Sequence, residues 1–269
     1  MGYRKNTELA TSGKGSEDRQ FVRALARGMD VLKSFRADDD KGLSNAEIAR
    51  RTGFPKPTVS RLTFTLLSLG YLHLDADTGR YALHPHILSL GYPVLQQLSI
   101  REVARPMMQE LADYCRGAVA LGVRDGPNMI VIERARHQTM TTVPVDIGIG
   151  RDIATTALGR AYIAGLGAEG LDLFMSQMAT LHGPQWPSIK RGINAALANV
   201  RELGYSLSVG DWTPDYNAVG APLRLADGTI LAFNCGGIAS RITADQLADL
   251  GERLVAMVAT LARTQNVNA

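Results

Sequence analysis

The sequence predicts an α+β fold in which a helical N-terminal third precedes a larger region of helices and antiparallel strands. Two observations predict it. Helical periodicity recurs within the first 70 residues, and hairpin patterns flanked by amphipathic helices fill the region after residue 117. A length of 269 residues allows one large domain or two ordinary ones. The composition, 45% hydrophobic and 20% charged, is typical of a globular protein.

The composition also bears on compartment and membrane association. Residues 1–20 are polar and contain Gly, Ser and Lys, so we expect a flexible tail and no secretory signal. No stretch approaches the roughly 18 consecutive apolar residues that suggest a membrane span. Cys115 and Cys235 have neither metal-site nor disulfide-framework spacing, so a cytoplasmic location is expected.

Positive charge is concentrated toward the N-terminus. Residues 1–95 contain 14 Lys/Arg and 10 Asp/Glu, a balance of +4, whereas the remainder contains 15 and 16, a balance of −1. Within residues 41–65 there are five basic residues and one acidic residue. Such a surplus is either an ordinary solvated surface or part of a surface for nucleic acid.

The N-terminal third begins with a helix and a short, well-signalled second helix. The first places one apolar face at Leu25, Met29, Leu32 and Phe35. In the second, Ser44 and Glu47 have capping-box spacing, and Leu43 with Ile48 occupies the hydrophobic-staple positions. Gly53 supplies a left-handed stop.

The third helix, residues 56–69, has a polar and cationic first turn. Its buried stripe is predicted at Val59, Leu62, Leu66 and Leu69. Pro57 is tolerated because it lies in the first turn. Off the stripe lie Lys56, Thr58, Ser60 and Arg61. A helix N-terminus already favours phosphate, and Lys and Arg add charge and base-edge donors.

A β-hairpin completes the N-terminal pattern. Apolar residues alternate with other residues at 72–74 and 81–83, which is typical of strands. The residues Asp77–Gly79 are typical of a turn, and Arg80 lies near the tip of the hairpin. Together with the three helices this predicts a winged helix-turn-helix. The alternative is a generic three-helix bundle with a hairpin.

The pattern of the C-terminal two-thirds predicts an α+β domain built on an antiparallel sheet. A helical stretch leads out of the hairpin to about residue 117. Strands are predicted at 118–125, 129–135 and 140–146, helices at 155–166 and 186–204, a hairpin at 218–238 and a closing helix after Thr243.

No catalytic, metal or cofactor motif fits its context. The segment GLGAEG, residues 165–170, has G-x-G-x-x-G spacing but follows a helix, so we interpret it as a helix end. H-E-x-x-H, Walker A and G-x-S-x-G are absent from the sequence. We therefore expect no enzyme activity, no metal and no cofactor. An enzyme with an appended winged helix remains the alternative from another class.

Three motifs follow one another in the N-terminal third: Leu-Ser-x-x-Glu-Ile-Ala at residues 43–49, Gly-x-Pro-Lys-x-Thr-Val-x-Arg-Leu at 53–62 and Leu-Gly-Tyr-Leu at 69–72. In these motifs the chain resembles the IclR family of bacterial transcription regulators. The C-terminal resemblance rests on residues 146–166 and 216–243. The order and spacing of these pieces are more specific than any one of them.

The resemblance implies a domain organisation and a function. The expected parts are a tail (1–20), a winged helix-turn-helix (21–84), a linker helix (85–100) and a GAF-like effector-binding and oligomerisation domain (101–269). The implied protein is a cytoplasmic regulator that binds a palindromic or pseudo-palindromic DNA operator as a homodimer or homotetramer. A small effector, an aliphatic or aromatic carboxylate, would control it. A constitutive DNA-binding protein whose C-terminal part only dimerises is the alternative.

Two sets of site residues follow from the motifs and the resemblance. The expected DNA-binding residues are Arg27, Ser44, Lys56, Thr58, Ser60, Arg61, Thr63 and Arg80. The expected effector-binding residues are Met140, Val143, Arg151, Ala157, Leu158, Asp211, Asn217, Ala218, Phe233 and Cys235.

Several effector positions have plainer interpretations. Arg151 could bind a carboxylate through a bidentate contact or pair with Asp152 or Asp146 on the surface. Phe233 suits a planar ligand or an ordinary core, and Cys235 suits a small apolar core position. Asp211 could accept from a ligand hydroxyl or lie in an exposed loop.

Overall fold

A computed structural model describes residues 20–36, 38–139 and 146–267, with side chains described up to residue 264. The chain divides into two compact units, residues 1–97 (unit 1) and 98–269 (unit 2). Most of the predicted tail and all but the last residue of the strand predicted at 140–146 lie outside the described ranges. Within those ranges, no helix combines the length and apolar character needed to cross a membrane.

Unit 1 contains helices and a two-stranded hairpin in the predicted order. Its elements are α1 Arg23–Lys33, α2 Asn45–Thr52, α3 Lys56–Ser68, β1 Leu72–Asp75, β2 Arg80–Leu83, a 3₁₀ turn Pro85–Ile87 and α4 Leu88–Gln97. The hairpin is antiparallel, with Leu72 opposite Leu83. Leu43 forms a bridge to Tyr81, so the hairpin is joined to the segment before α2. This arrangement is a winged helix-turn-helix.

Local signals set the bounds of α2 as predicted. The Ser44 side chain accepts from the Glu47 N–H, and the Glu47 carboxylate accepts from the Ser44 N–H at 2.7 Å. The staple residues Leu43 and Ile48 are buried. Gly53 ends the helix with φ 72°, a conformation that costs glycine little.

The apolar faces predicted for α1 and α3 include residues that the core of unit 1 does not bury. Leu25, Met29 and Leu69 are exposed by 66%, 44% and 58%, so the predictions for these three residues were wrong. Val31 is buried on α1, and Thr63 is buried on α3. The physical reason is that three short helices enclose one small core, and each buries a narrow stripe. The surplus apolar side chains line an open groove formed by α1, α3 and α4.

Unit 2 is built on an antiparallel sheet with helices on both faces. Its elements are α5 Ile100–Cys115, β3 Ala118–Asp125, β4 Asn128–Arg136, β5 Gly150–Asp152, α6 Ala157–Gly165, α7 Ala168–His182, α8 Trp186–Leu203, β6 Ser206–Val209, β7 Tyr216–Arg224, β8 Ile230–Ile238 and α9 Leu247–Val267. Within the described residues the strand order is β5-β4-β3-β8-β7-β6.

Two helix layers cover opposite faces of this sheet. Helices α5 and α9 pack on one face, and α6 packs on the other with α8 behind it. Residues paired across antiparallel strands share a face. Ala218 pairs with Gly236, and Ala120 pairs with Asn234. We call the side of the sheet that carries these residues the α6 face. Gly220, two positions after Ala218 and on the same side of β7, lies against the Ala157 carbonyl of α6.

The helix-end interpretation of residues 165–170 is confirmed. Gly165 is the last residue of α6, and Gly167 is the N-cap of α7. Thr243, the predicted cap of the closing helix, is the N-cap of a 3₁₀ turn, Ala244–Gln246, that directly precedes α9. Helix α7 and strands β5 and β6 were not predicted, because each is short or lacks a strong amphipathic pattern.

Candidate functional site

The first turn of α3 presents a cationic surface on unit 1. The Lys56 and Arg61 side chains are exposed, and Thr58 is half-buried. The helix begins after Pro55 and has Pro57 in its first turn. Free N–H groups and the helix dipole at this end favour an anion, and the two cations reinforce that preference. Arg50 on α2 is also exposed and lies within the basic stretch that the sequence shows.

Three of the predicted DNA-binding hydroxyls already have partners within unit 1. Ser44 caps α2. The Ser60 hydroxyl accepts from the Asn45 side-chain amide at 2.7 Å, which joins α2 to α3. Thr63 is fully buried, and its hydroxyl donates to the Val59 carbonyl at 3.0 Å. Burial therefore leaves Thr63 no surface to offer to DNA.

The two predicted phosphate-binding arginines are held by neighbours. The Arg80 guanidinium pairs with the Glu47 carboxylate at 2.6 Å and donates from Nε to the Lys41 carbonyl at 3.1 Å. These contacts fix the hairpin against the segment before α2. Arg27 lies over the Phe54 ring, 5.4 Å from its centroid.

Glu47 is the acidic centre of this arrangement. The Ser44 hydroxyl and backbone N–H, followed by the Arg80 guanidinium, lower the pKa of the Glu47 carboxyl from its ordinary value of 4.5 to about 2. The carboxylate is therefore charged at neutral pH and stabilises both the start of α2 and the position of the hairpin.

Unit 2 contains a small pocket on the α6 face of its sheet. Its volume is about 30 Å³, which is room for little more than one water molecule. It is lined by Val131, Arg151, Thr156, Ala157, Leu158, Ser208, Trp212, Tyr216, Ala218 and Asn234. A ligand as large as a benzoate would therefore require these side chains to move.

An arginine and two aromatic rings form one wall of the pocket. The Arg151 guanidinium lies 5.0 Å from the centroid of the Trp212 ring. Trp212 in turn meets Tyr216 edge to face, with ring centroids 5.4 Å apart. Burial lowers the pKa of the Arg151 guanidinium from its ordinary value, but arginine remains charged in proteins. The wall therefore combines a positive charge with flat apolar surface.

Two further polar atoms in the pocket have unmet hydrogen-bonding capacity. Among the described residues, neither the Tyr216 hydroxyl nor the Asn234 side-chain oxygen has a hydrogen-bond partner. Tyr216 is only 5% exposed. Burial raises the pKa of its hydroxyl above the usual range, so the group stays protonated and can donate. An unpartnered buried polar group is costly, and a ligand that accepted from it would remove that cost.

The first turn of α6 adds a third polar feature. Ala157 and Leu158 begin the helix, and the Thr156 hydroxyl caps it by accepting from the Gly159 N–H at 3.1 Å. The first N–H groups of a helix have no intrahelical partner, and the dipole there favours negative charge. A carboxylate in this pocket would meet favourable potential from both Arg151 and α6.

Four of the ten predicted effector-binding residues line the pocket: Arg151, Ala157, Leu158 and Ala218. The carboxylates proposed as surface partners of Arg151 have other contacts. Asp146 pairs with Arg134 at 2.5 Å, and Asp152 accepts from the Ala154 N–H at 2.9 Å. Met140 and Val143 lie outside the described residues.

The structure places the other four predicted residues away from the pocket. Phe233 and Cys235 pair with Ala221 and Val219 on the opposite face of the sheet, because strand side chains alternate. Asn217 shares that face and donates to the Ile242 carbonyl at 2.8 Å.

Asp211 has a structural partner of its own. Its carboxylate pairs with the buried Arg160 guanidinium at 2.5 Å. Arg160 also donates to the Ala154 and Leu207 carbonyls. This network fixes the loop that carries Trp212, so Asp211 is a positioning residue for the pocket wall.

Trp212, Tyr216 and Asn234 line the pocket but were not predicted from the sequence, although Tyr216 and Asn234 carried simple signals. Tyr216 lies two positions before Ala218, so the two share a face of β7. Asn234 is a polar residue within the apolar run ILAFNC. Trp212 carries no local signal, since its place depends on the ion pair beside it.

Taken together, the two units define a class of protein. A winged helix-turn-helix with a cationic α3, joined in one chain to a domain with a polar and aromatic pocket, is typical of a ligand-responsive DNA-binding regulator.

The family follows from comparison with known proteins. Residues 24–76 match the IclR helix-turn-helix domain, and residues 92–263 match the bacterial transcriptional regulator IclR C-terminal domain. The chain belongs to the IclR family of bacterial transcriptional regulators.

Individual relatives agree along most of the chain. The HTH-type transcriptional regulator TsaQ1/TsaQ2 of Comamonas testosteroni is 28% identical over 255 residues, covering 93% of this chain and 89% of that one. The crystal structure of an IclR family regulator from Brucella abortus is 42% identical with a TM-score of 0.81, covering 92% and 94%. An IclR homologue from Microbacterium hydrocarbonoxydans, crystallised with 4-hydroxybenzoate, shares the fold at 21% identity with a TM-score of 0.71, covering 90% and 99%.

Proposed function

We propose that the effector of this regulator is a small aromatic or aliphatic carboxylate, bound in the pocket on the α6 face of unit 2. The observation that carries this proposal is the wall formed by Arg151, Trp212 and Tyr216. Its guanidinium matches a carboxylate, and its ring surface matches a planar body.

Each part of the pocket has a role in this proposal. Arg151 and the first turn of α6 bind the carboxylate, and the Tyr216 hydroxyl donates to a ligand oxygen. The Asn234 oxygen accepts from a ligand hydroxyl. Support for the size of the ligand comes from the homologue of the same fold that was crystallised with 4-hydroxybenzoate.

In unit 1, α3 is proposed to enter the major groove of operator DNA. Exposed Lys56 and Arg61, with half-buried Thr58, would contact bases and phosphates. Arg27 and Arg80 would contact phosphates of the flanking backbone. A two-fold operator requires at least a dimer of the regulator. The proposed location is the cytoplasm, where the regulator has access to DNA. Enzyme activity is not part of the proposal, because the relatives are transcriptional regulators.

Thermal unfolding against a panel of carboxylates tests the effector class. The two tryptophans, Trp186 and Trp212, both lie in unit 2, so their fluorescence reports on that unit. A ligand at 100 times its Kd should stabilise unit 2 by about 2.7 kcal/mol. Arg151→Ala should remove this shift, because the carboxylate loses its cation.

The control is Arg136→Ala, which removes an exposed arginine at the far end of β4. It should leave the ligand-induced shift unchanged. If Arg151→Ala responded like the control, the carboxylate would not bind at Arg151. A panel without any hit, on protein that binds DNA, would favour the constitutive regulator whose unit 2 only dimerises.

A further inference from the structure

The two cysteines of the chain lie side by side in unit 2. Cys115 is the last residue of α5, and Cys235 lies in β8 on the face that α5 covers. Their Sγ atoms are 3.5 Å apart although 120 residues separate them in the sequence. A disulfide bond is about 2.05 Å long, so a movement of roughly one and a half ångströms would join the two sulfur atoms.

The two thiols differ in their access to solvent. Cys235 is fully buried. Cys115 is partly exposed and lines a groove of about 1070 Å³ at the end of α5, together with Arg116, His137 and Arg241. Cys115 is therefore the more accessible of the two cysteines to a small oxidant.

The hydrogen bond between the thiols gives them different reactivity. The Cys235 thiol donates to the Cys115 sulfur. This bond lowers the pKa of the Cys115 thiol, and the same bond together with burial raises the pKa of the Cys235 thiol. Because the thiolate is the reactive form, Cys115 is the attacking sulfur and Cys235 keeps its proton.

Close packing holds the pair together. A Cβ atom at Gly117 would lie 2.6 Å from the Gly236 carbonyl oxygen and 2.9 Å from the Cys115 sulfur. The absence of that atom lets the end of α5 approach β8. This close approach of α5 to β8 places the two sulfur atoms side by side.

We propose that Cys115 and Cys235 form a reversible thiol–disulfide pair that a peroxide oxidises at Cys115. The Cys115 thiolate attacks a peroxide oxygen, the O–O bond breaks, and a sulfenic acid forms while hydroxide leaves and takes up a proton. The Cys235 sulfur then attacks the Cys115 sulfur, its proton goes to the departing oxygen, and water leaves. Two thiols are oxidised to one disulfide, and hydrogen peroxide is reduced to two molecules of water.

Hydrogen peroxide treatment of the purified full-length protein tests this pair. We expect both free thiols to disappear together, return of both on reduction with dithiothreitol, and a peptide linking Cys115 to Cys235 in the unreduced digest. Peptide analysis is needed because nine methionines can also take up oxygen. In Cys235→Ser, dimedone should trap a sulfenic acid on Cys115. In Cys115→Ser, the remaining thiol should react slower by on the order of tenfold or more.

A second measurement uses the native chain, so its outcome does not depend on whether the variants fold. Iodoacetamide should alkylate Cys115 before Cys235 in the native protein. The proposal is overturned if both thiols survive peroxide, if Cys115→Ser reacts as fast as the native chain, or if the disulfide forms only between chains. Alkylation of Cys235 first would also overturn it.

Discussion

At the scale of single residues, the proposed effector pocket contains side chains with incomplete hydrogen bonding. Tyr216 is buried beside Trp212, and no described residue accepts from its hydroxyl. A structural core would be more stable with phenylalanine at this position. A tyrosine that retains this cost is consistent with a ligand that uses the hydroxyl.

Tyr216→Phe therefore separates binding from stability. Ligand-free unit 2 should be as stable as the native unit or more stable by up to about 1 kcal/mol, because an unpartnered buried hydroxyl is removed. Carboxylate binding should weaken by about 0.5–1.5 kcal/mol, the net value of one hydrogen bond. Denaturant unfolding and a ligand titration followed by tryptophan fluorescence measure the two quantities. A loss of ligand-free stability would show that the hydroxyl has a partner in the free protein.

Glu47 gives unit 1 a defined pH dependence. Its folded-state pKa is lowered from 4.5 to about 2 by Ser44 and Arg80. A lowered carboxyl pKa contributes stability that is fully present above 4.5 and is lost as the pH falls toward about 2. Glu47→Gln should therefore lower the melting temperature of unit 1 at pH 7, and the difference from the native chain should shrink as the pH approaches 2.

Circular dichroism with parallel tryptophan fluorescence isolates this effect. Unit 1 has no tryptophan, so a transition seen by circular dichroism alone belongs to it. A difference between the two proteins that stayed constant from pH 7 to pH 2 would contradict the role of the charge.

At the scale of secondary-structure elements, α6 is placed by close contact of backbones. A Cβ atom at Gly159 would collide with the carbonyl oxygen of Ile153, and one at Gly220 would collide with the carbonyl oxygen of Ala157. These two glycines let the start of α6 lie directly on the turn before it and on β7. The first turn of α6 thereby reaches the pocket.

Gly159→Ala should consequently destabilise unit 2 by about 1–3 kcal/mol or more, since backbone atoms must shift to admit the methyl group. The matched control is Gly170→Ala on α7, where the nearest atom is 3.7 Å away. That substitution should stabilise the unit by about 0.5–1 kcal/mol through helix propensity. Denaturant unfolding followed by tryptophan fluorescence compares the two. Equal stability of both variants would rule out the close contact at α6.

At the scale of the whole molecule, the proposed DNA-binding surface lies in one compact unit and the proposed effector pocket in the other. If effector binding alters operator affinity, the coupling is a property of the complete chain. Thermodynamic linkage then requires operator DNA to alter effector affinity by the same factor.

This reciprocity is measurable on the full-length protein. Operator Kd is determined with and without saturating carboxylate, and carboxylate Kd with and without saturating operator. The two ratios should agree, with a coupling of about 1–3 kcal/mol. Ratios of one in both directions would mean that the ligand does not regulate DNA binding.

The sequence by itself determined the local architecture and the family. The capping box of α2, the glycine stop at Gly53, the proline at the start of α3 and the turn residues of the hairpins act over a few positions. Such signals can be recognised without knowledge of distant contacts. The same local patterns carried the resemblance to the IclR family, which the matches at residues 24–76 and 92–263 confirm.

Only the tertiary structure decided which side chains meet. Asn234 rather than Phe233 or Cys235 faces the pocket, because pairing of β8 with β3 and β7 sets the register. A shift of one residue moves a strand side chain to the other face. Cys115 and Cys235 likewise show no motif in sequence, and the packing of α5 on β8 brings their sulfur atoms together. Contacts between residues more than a hundred positions apart depend on the packed sheet, which local patterns do not specify.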